Sequence, residues 1–383
     1  MLVDRIKNLV SQGVPIESIL FVNLEDPRLL PHLSLDLLEN IKHCHSRYLN
    51  PRQKPHIFLD EVQNIDQFEK WLLKEYELSS SHLYATGSNS KLLSKEIGTA
   101  LSGRYLDVEV YPLSFREFLA FKNLDISNKL DLLQNKIEIE RYFEEYMDYG
   151  GFPKVVLLED QDLKKYELKN YFDSILLRDI VVRYRLGSFN ALERLAIRLL
   201  SSMSNIVSIS SLKKSMGLSY DAVSSYIEYL ENAYMLFRVP LFDWSLKKQQ
   251  ANPCKVYAID TGLVNRVSFK VGKRTGDQLE NIVFLELKRH NEEIYYYKTP
   301  AGYEVDFLCK AGERITQLIQ VSARLDDAKT RAREIRALIK AKQELKYCDN
   351  TRLIVLTLDP GEMLSQDNHA IEIVNVLEWL GDL

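Results

Sequence analysis

The segment from His56 to Gln63 constrains the fold of this chain more than any other. It reads His-Ile-Phe-Leu-Asp-Glu-Val-Gln, an apolar run that ends in two adjacent carboxylates, Asp60 and Glu61. A short apolar run bounded by polar residues is typical of a buried strand in a parallel sheet that helices cover on both faces. Similar apolar runs at 19–24 and 82–86 alternate with helical patterns. The sequence therefore predicts an α/β fold built on a parallel sheet.

The paired carboxylates at the end of this strand predict phosphate chemistry. In nucleoside triphosphatases, the Walker-B arrangement ends a buried strand with an Asp that helps to hold Mg²⁺ and a Glu that orients the attacking water. Its usual partner is a Gly-x-x-x-x-Gly-Lys-Ser/Thr loop, whose backbone N–H groups bind the phosphates. The 383 residues do not contain that pattern, because Gly272-Lys273 lacks the earlier Gly and a following Ser or Thr in the right frame. The alternative is a strand that merely ends in exposed acids.

Two later segments favour the phosphate interpretation over that alternative. Ala85-Thr-Gly-Ser-Asn-Ser90 ends the next strand with small polar residues, where a sensor side chain would meet the terminal phosphate or the attacking water. Leu101-Ser-Gly-Arg-Tyr105 follows and carries Arg104, a cation suited to neutralising charge in the transition state.

Together these segments resemble a known family. The order Phe-Leu-Asp-Glu-Val-Gln, Thr-Gly-Ser-Asn-Ser, Leu-Ser-Gly-Arg-Tyr and Pro-Leu-Ser-Phe-Arg-Glu-Phe is similar to that of the prokaryotic AAA-type ATPases with a C-terminal nuclease-like domain of unknown function. The resemblance covers nearly the whole chain and continues through Gly150–Pro153, Tyr171–Asp179, Asp260–Leu263, Glu280–Leu287 and Glu304–Leu308.

This resemblance implies roles for five residues of the first part of the chain. Asp60 is the Mg²⁺-associated acid and Glu61 the catalytic glutamate. Ser88 or Asn89 is the sensor, and Arg104 is a candidate arginine finger that acts in cis or in trans. ATP and Mg²⁺ are the implied cofactors.

The resemblance also implies what this chain lacks. The phosphate-binding loop of the family is expected just ahead of Met1, whose helix matches the second half of the helix that follows such a loop. The AAA-like sheet is then expected to lack its first strand, which would give the strand at 82–86 an exposed edge or an unusual neighbour. Because the loop supplies most of the phosphate binding, the chain as it stands is expected neither to bind nor to hydrolyse ATP appreciably. Truncation, a misplaced start and natural degeneracy remain open as origins.

Residues 188–242 are predicted to form a winged-helix unit. Two helical patterns bracket a turn at Gly217-Leu-Ser219, and a DNA-binding version of this motif would place its second helix in the major groove. The candidate DNA contacts are Lys213, Lys214, Ser219 and Tyr220. Glu228 and Glu231 on the same helix would face phosphate, which favours a structural or protein-docking role.

A third constellation consists of Glu280, Asp306 and Gln320. In nucleases of the PD-(D/E)xK type, a helix acid, an Asp on one strand and a Glu or Gln on the next converge on a metal ion, and a lysine helps to activate water. Asp306 is therefore a tentative Mg²⁺ ligand. Ser322 occupies the position expected for lysine, so hydrolysis is expected to be weak or absent unless Lys298 or another base takes its place. A nuclease-like fold kept as a binding scaffold is the favoured alternative.

The predicted organisation has four parts and several finer features. The parts are a truncated AAA-like core (1–125), a helical linker or lid (126–187), the winged helix (188–242) and a PD-(D/E)xK nuclease-like α/β domain (243–383). An alternating segment at 106–113 predicts a further strand, and Ser114 with Glu117 predicts a capped helix start. The leading function is an ATPase-like core that acts on the other domains. The alternatives are a non-enzymatic interaction scaffold and a metal-dependent DNA nuclease.

Composition narrows the setting and the partners. A net charge of −4 gives no general attraction to nucleic acid or anionic membranes, so a DNA contact needs a local patch. The four cysteines are far apart and form no C-x-x-C pair, which predicts a reducing, cytoplasmic location without zinc or disulfides. No apolar run approaches the ~18 residues of a membrane span. The expected partners are DNA or a protein client, and a homo-oligomer is possible.

Overall fold

The structure, a computed structural model, describes residues 2–49, 51–88, 103–268, 275–290 and 292–381. The chain divides into two compact units: Met1–Val108 with Asn232–Tyr234, and Glu109–Glu231 with Met235–Leu383. Among the described residues, no helix has both the length and the apolar character that crossing a bilayer requires. The four domain boundaries given by the sequence stay predictions.

The first unit contains a three-stranded parallel sheet in the order β1-β2-β3. Its elements are α1 (Leu2–Ser11), β1 (Ile19–Asn23), α2 (Leu35–Leu49), β2 (His56–Asp60), α3 (Phe68–Glu77) and β3 (His82–Ala85). The α/β character and the parallel sheet predicted for this part of the chain are confirmed, and both are consistent with a P-loop-like AAA fold. Within the described residues β3 pairs with β2 alone, so its outer edge has no neighbouring strand.

Strand β2 has a continuous apolar sequence because both of its faces are buried. Ile57 and Leu59 belong to a core with Phe68 and Trp71 of α3. Phe58, on the other face, is fully buried, and its ring stacks on a tyrosine of β3 at a centroid distance of 4.3 Å. Burial on both faces leaves only the ends of this strand for polar residues.

The strand predicted at 106–113 is wrong, because these residues have no regular secondary structure. Leu106, Val108 and Val110 do alternate along the chain, yet they are 96%, 69% and 65% exposed. An alternating pattern stabilises a strand only where one face packs on a core and the backbone has a neighbour to pair with. Neither condition is met by this segment.

The second unit begins with helices. They are α4 (Phe115–Phe121), α5 (Lys129–Gln134), α6 (Lys136–Tyr149), α7 (Pro153–Leu157), α8 (Gln161–Ser174), a π-helical continuation (Ile175–Val182) and α9 (Phe189–Leu200). The predicted cap of α4 is confirmed: the backbone N–H of Glu117 donates to Ser114 Oγ at 3.2 Å, and that of Ser114 donates to Glu117 Oε2 at 2.8 Å. These paired bonds satisfy two donors that a helix start leaves open.

Helix α6 ends where the chain approaches the start of α13 (Thr261–Val267) very closely. The backbone N–H groups of Gly151 and Leu263 donate to Asp260, at 2.7 and 3.0 Å. A Cβ at Gly150 would collide with this carboxylate, and a Cβ at Gly262 would collide with backbone atoms of α6. The glycines of both segments are therefore required by backbone contact.

A helix-turn-helix and a small antiparallel sheet follow. Their elements are β4 (Asn205–Val207), α10 (Ile209–Met216), α11 (Tyr220–Asn232), β5 (Leu236–Val239), α12 (Leu246–Ala251) and β6 (Cys254–Ala258). Gly217 ends α10 in the left-handed conformation, with φ of 68°. The strand order is β4-β6-β5, so β6 lies between the two strands that flank the helix pair.

The C-terminal part is a mixed six-stranded sheet in the order β11-β12-β10-β9-β8-β7. Its elements are α14 (Thr275–Arg289), β7 (Glu293–Lys298), β8 (Glu304–Ala311), β9 (Arg314–Val321), α15 (Ala328–Glu344), β10 (Arg352–Thr357), β11 (Glu362–Gln366), β12 (His369–Asn375) and α16 (Val376–Leu380). Leu338 of α15 shares one apolar core with Leu318 of β9, and Phe284 of α14 shares another with Phe307 of β8. Helices therefore contribute to two separate cores of this sheet.

The chain between β5 and α12 is attached to the edge of this sheet. The N–H of Phe242 donates to Tyr296 O at 2.8 Å, and the N–H of Tyr296 donates to Pro240 O at 3.1 Å. The ring of Phe242 also lies edge-on to two tyrosines of β7. The loop in the position of a wing is thus bonded to β7.

Candidate functional sites

The first candidate site lies at the carboxyl edge of the parallel sheet. Asp60 ends β2 beside Asn23 of β1, and its carbonyl accepts the N–H of Leu24 at 3.0 Å. Glu61 then takes the left-handed conformation, with φ of 57° and ψ of 48°. L-residues adopt this region at a cost of about 1–2 kcal/mol, so the surrounding bonds must hold the turn. Both acids are partly exposed.

Thr86, directly after β3, links the two acids. Its hydroxyl donates to Asp60 Oδ1 at 2.5 Å and accepts the backbone N–H of Glu61 at 3.3 Å. Its carbonyl accepts the N–H of Val62 at 2.9 Å. Sequence reasoning did not assign this threonine a role, although its place just after the strand, within Thr-Gly-Ser, was the available signal.

Gln63 connects the second acid to the predicted sensor. Its Nε2 donates to Glu61 Oε2 and lies 3.3 Å from Ser88 Oγ, to which it also donates. The structure therefore brings Asp60, Glu61 and Ser88 together through Thr86 and Gln63. Asn89, the other predicted sensor, lies outside the described residues.

Arg104 is not part of this group. Its guanidinium lies 3.7 Å from Glu77 Oε1 and 5.8 Å from the ring centre of Tyr76, both in the last turn of α3. That turn leads into the amino end of β3, whereas Asp60 lies at the carboxyl end of β2, so the two are at opposite edges of the sheet. The assignment of Arg104 as an arginine finger stays a prediction.

The residues at the carboxyl edge fit Mg²⁺ of the kind that shares its ligands with a substrate. Mg²⁺ is commonly bound through one or two carboxylates, with waters and substrate phosphates completing its coordination. Asp60 can supply such a carboxylate, held in place by the hydroxyl of Thr86. Within the described ranges, no three His, Cys, Asp or Glu side chains are close enough to bind a metal without such help.

The second candidate site lies in the other unit, where the three residues of the nuclease-like pattern do converge. The backbone N–H of Asp306 on β8 donates to Gln320 Oε1 on β9 at 2.7 Å, and the N–H of Val321 donates to Asp306 Oδ2 at 3.0 Å. Glu280 on α14 and Asp306 share one cation, Lys255. Sequence order alone placed these elements correctly.

Lys255 supplies the cation that the sequence pattern lacks. It lies on β6, and its Nζ is 2.9 Å from Asp306 Oδ1, 3.1 Å from Glu280 Oε1 and 2.9 Å from Glu304 Oε1. Only 2% of its side chain is exposed. Ser322, at the position expected for lysine, donates its hydroxyl to a neighbouring backbone carbonyl. Sequence reasoning missed Lys255 because the residue comes from another sheet.

Burial and charge set the protonation of this cluster. Burial raises the pKa of Glu280 to about 8, the charge of Asp306 raises it further, and Lys255 opposes both. The hydroxyl of Tyr257 donates to Glu280 Oε1 at 2.6 Å. Burial alone would lower the pKa of Lys255, but Asp306 and the other acidic groups around it raise that pKa well above its usual value. Lys255 is therefore a permanent cation in this environment.

Gln320 and its neighbours close the second cluster from within. Gln320 Nε2 donates to Glu334 Oε2 on α15 at 2.5 Å and to the carbonyl of Glu304 at 3.2 Å. Glu334 Oε1 accepts two bonds from Arg333, at 2.5 and 3.0 Å. Both polar atoms of the Gln320 amide are thus used inside the protein.

The four candidate DNA contacts lie on the helix-turn-helix. Lys213 and Lys214 are exposed in the last turn of α10, and Tyr220 is 51% exposed at the start of α11. Ser219 Oγ accepts the N–H of Ala222 at 3.1 Å, so this serine stabilises the helix start. These positions are compatible with DNA contact, which stays a prediction.

Comparison with known proteins divides the chain into three matched regions. A model described as AAA domain matches residues 2–119, a domain of unknown function (DUF8612) matches 140–274, and a second (DUF4143) matches 275–376. The first region contains the carboxyl-edge site. The other two divide the second cluster between them, with Lys255 in one and Glu280, Asp306 and Gln320 in the other.

Three relatives match much of the chain, and each is described as an uncharacterised protein. One from Methanocaldococcus jannaschii is 36% identical over 376 residues, covering 95% of this chain and 82% of the relative. One from Haemophilus influenzae is 31% identical over 306 residues, covering 79% and 71%. A second protein of the same archaeon is 22% identical over 260 residues, covering 62% and 53%.

Proposed function

The chain belongs to the AAA-type family that these archaeal and bacterial relatives represent, and from that premise we propose that its first unit supplies the Mg²⁺- and water-handling half of an ATPase-like site. The observation that carries this proposal is the link that Thr86 makes between Asp60 and Glu61. One hydroxyl holds the metal-binding carboxylate and the backbone of the catalytic glutamate at the same edge of the sheet. Ligands of open α/β sheets bind outside the carboxyl ends of the strands.

In this proposal each side chain has a separate task. Mg²⁺, when bound with nucleotide, neutralises phosphate charge. Asp60 holds the ion, and Glu61 accepts a hydrogen bond from the attacking water and orients it. Gln63 fixes the carboxylate of Glu61 and donates to Ser88, which is thereby positioned as the sensor. The left-handed backbone of Glu61 turns its side chain out of the strand direction.

The 383 residues contain no phosphate-binding loop sequence, so we expect the chain by itself to bind Mg-ATP only weakly and not to turn it over appreciably. Client binding is assigned in this proposal to the second unit, through the helix-turn-helix. A protein client is favoured over DNA, because the acid Asp221 lies in the first turn of α11, where a DNA-binding helix would meet phosphates. A cytoplasmic location and self-association belong to the same proposal.

Calorimetric titration of Mg-ATP tests the first half of this proposal. We expect little heat from the 383-residue chain, and no difference when Asp60→Ala is titrated in parallel. Steady-state turnover by the purified chain, lost in Glu61→Gln, would contradict the expectation that the chain is inactive alone.

A second protein tests the positive half. It carries, ahead of Met1, a strand and a Gly-x-x-x-x-Gly-Lys-Ser/Thr loop taken from a nucleoside triphosphatase. We expect Mg-ATP binding that requires Asp60 and hydrolysis that requires Glu61. If this extended protein folds but binds no nucleotide, the carboxyl-edge site is not an ATPase site, and the non-enzymatic scaffold becomes the better description.

A further inference from the structure

Three carboxylates of the second unit converge on a single nitrogen atom. Glu280 comes from α14, and Glu304 and Asp306 come from one face of β8. Their nearest oxygens lie 3.1, 2.9 and 2.9 Å from Nζ of Lys255. The exposed fractions of their side chains are 12%, 34% and 15%.

Such an arrangement needs a cation at its centre. Moving an ionised carboxylate out of water costs several kcal/mol, and placing three together adds their mutual repulsion. Proteins meet this cost either with a divalent ion at about 2.0–2.6 Å from the oxygens or with a hydrogen-bonded ammonium group. Here the stem of Lys255 enters from β6 and its ammonium lies at bonding distance from all three acids.

The remaining bonds of the acids are also made within the protein. Glu280 accepts the hydroxyl of Tyr257, which stands two residues after Lys255 on the same strand. Asp306 accepts the N–H of Val321. Strand β6 therefore presents both a cation and a hydroxyl to the acidic cluster, and it does so from the centre of the small sheet.

We propose that the ammonium of Lys255 is the resident cation of this cluster and fills the place that a divalent metal ion would otherwise take. The cluster then works as a metal-independent clamp that fastens β6, and with it the sheet beside the helix-turn-helix, to α14 and β8. This inference concerns the second unit only and does not depend on the proposed ATPase-like function.

The proposal predicts that removing the ammonium converts the cluster into a metal site. Lys255→Ala leaves three carboxylates around a space the size of the lost side chain, and carboxylate oxygens suit Mg²⁺, Ca²⁺ and Mn²⁺. Lys255→Met removes the charge but keeps the stem, so it leaves no room for a hydrated ion. The two variants separate the loss of charge from the opening of space.

Mn²⁺ titration followed by electron paramagnetic resonance tests this prediction on the full chain. Binding is assigned to the cluster only when Asp306→Asn, added to the same protein, abolishes it, which separates it from any binding at Asp60. We expect no Asp306-dependent binding in the natural sequence or in Lys255→Met. Lys255→Ala should bind one Mn²⁺ at least about tenfold more tightly than the natural sequence.

Two results would overturn the proposal. The first is Asp306-dependent binding of Mn²⁺ by the natural sequence, because the acids would then accept a metal beside Lys255. The second is a folded Lys255→Ala protein, by circular dichroism, that binds no Mn²⁺. Should that variant not fold, the natural sequence decides: cleavage of DNA with Mn²⁺ that is lost in Asp306→Asn contradicts the clamp, and its absence together with absent binding supports it.

Discussion

The ammonium of Lys255 on β6 lies 2.9 Å from Oδ1 of Asp306 on β8, although 51 residues separate them in sequence. The two strands belong to different sheets, so this pair joins the small sheet to the six-stranded sheet. Burial on both sides makes the pair more consequential than a surface ion pair, which typically contributes less than about 1 kcal/mol.

Replacing Lys255 with Met should destabilise the second unit by roughly 3–5 kcal/mol, because three acids lose their buried counter-ion. Hydrogen exchange of peptides that cover β6 and β8 measures the loss locally. Lys298→Met is the matched control, because Lys298 is exposed on β7, and it should change exchange little. Equal protection in the two variants would show that the buried ammonium contributes no more than an exposed one.

Replacing Thr86 with Val should destabilise the first unit by about 1–2 kcal/mol, because the variant keeps the shape but loses the bonds to Asp60 and Glu61. Thr86→Ser keeps the hydroxyl and should lose less. Urea denaturation measures both in a background where Trp244 and Trp379 are Phe, so that Trp71 of the N-terminal core reports alone. A Ser variant as weak as the Val variant would remove the hydroxyl from the explanation.

Glu61→Gly should be more stable than Glu61→Ala by up to about 1 kcal/mol, because position 61 has φ of 57° and glycine adopts this region without penalty. Both variants lose the carboxylate and its bond from Gln63, so their difference isolates the backbone. The same Trp71 fluorescence assay compares them. A more stable Ala variant would mean that the turn is relaxed in solution.

Asp260 should make stability depend on pH in the acid range. Burial raises its folded pKa to about 6, while backbone N–H groups and then Arg289 oppose that rise, and an unfolded Asp has a pKa of about 3.9. The folded chain therefore binds the extra proton between these values, so the contribution of this group is fully present below about pH 4 and is lost as pH rises through about 6.

The comparison with Asp260→Asn measures this contribution, because Asn keeps an acceptor oxygen but cannot ionise. Relative to the variant, the natural sequence should lose about 3 kcal/mol of unfolding free energy across that window. Denaturation curves of both proteins at a series of pH values give the difference. A difference that stays constant with pH would show that Asp260 does not titrate there.

Local patterns were enough to predict the parallel sheet and the cap at Ser114, because both depend on residues close in sequence. Apolar runs at 19–24, 56–60 and 82–86 form β1 to β3, and the spacing of Ser114 and Glu117 alone specifies the capping box. The strand predicted at 106–113 failed because alternation says nothing about the availability of a packing partner.

The candidate sites show the same division. Asp60, Glu61 and Ser88 meet because consecutive parallel strands end at one edge, which sequence order reveals. Thr86 escaped notice because its role is a side-chain bond across strands. Lys255 escaped because the pattern asked for a lysine next to Gln320, whereas the fold brings one in from β6, and no spacing rule links distant strands of different sheets.

The bond pair between Tyr296 and the Pro240–Phe242 segment has a consequence for how these molecules behave towards one another. Strand β7 is the last in its sheet, and a terminal strand with open N–H and C=O groups recruits strands from other molecules. By laying its own loop along that border, the chain occupies groups that would otherwise seed aggregation. A nick or unfolding event that frees the loop would therefore first appear as loss of solubility, before any change in the core.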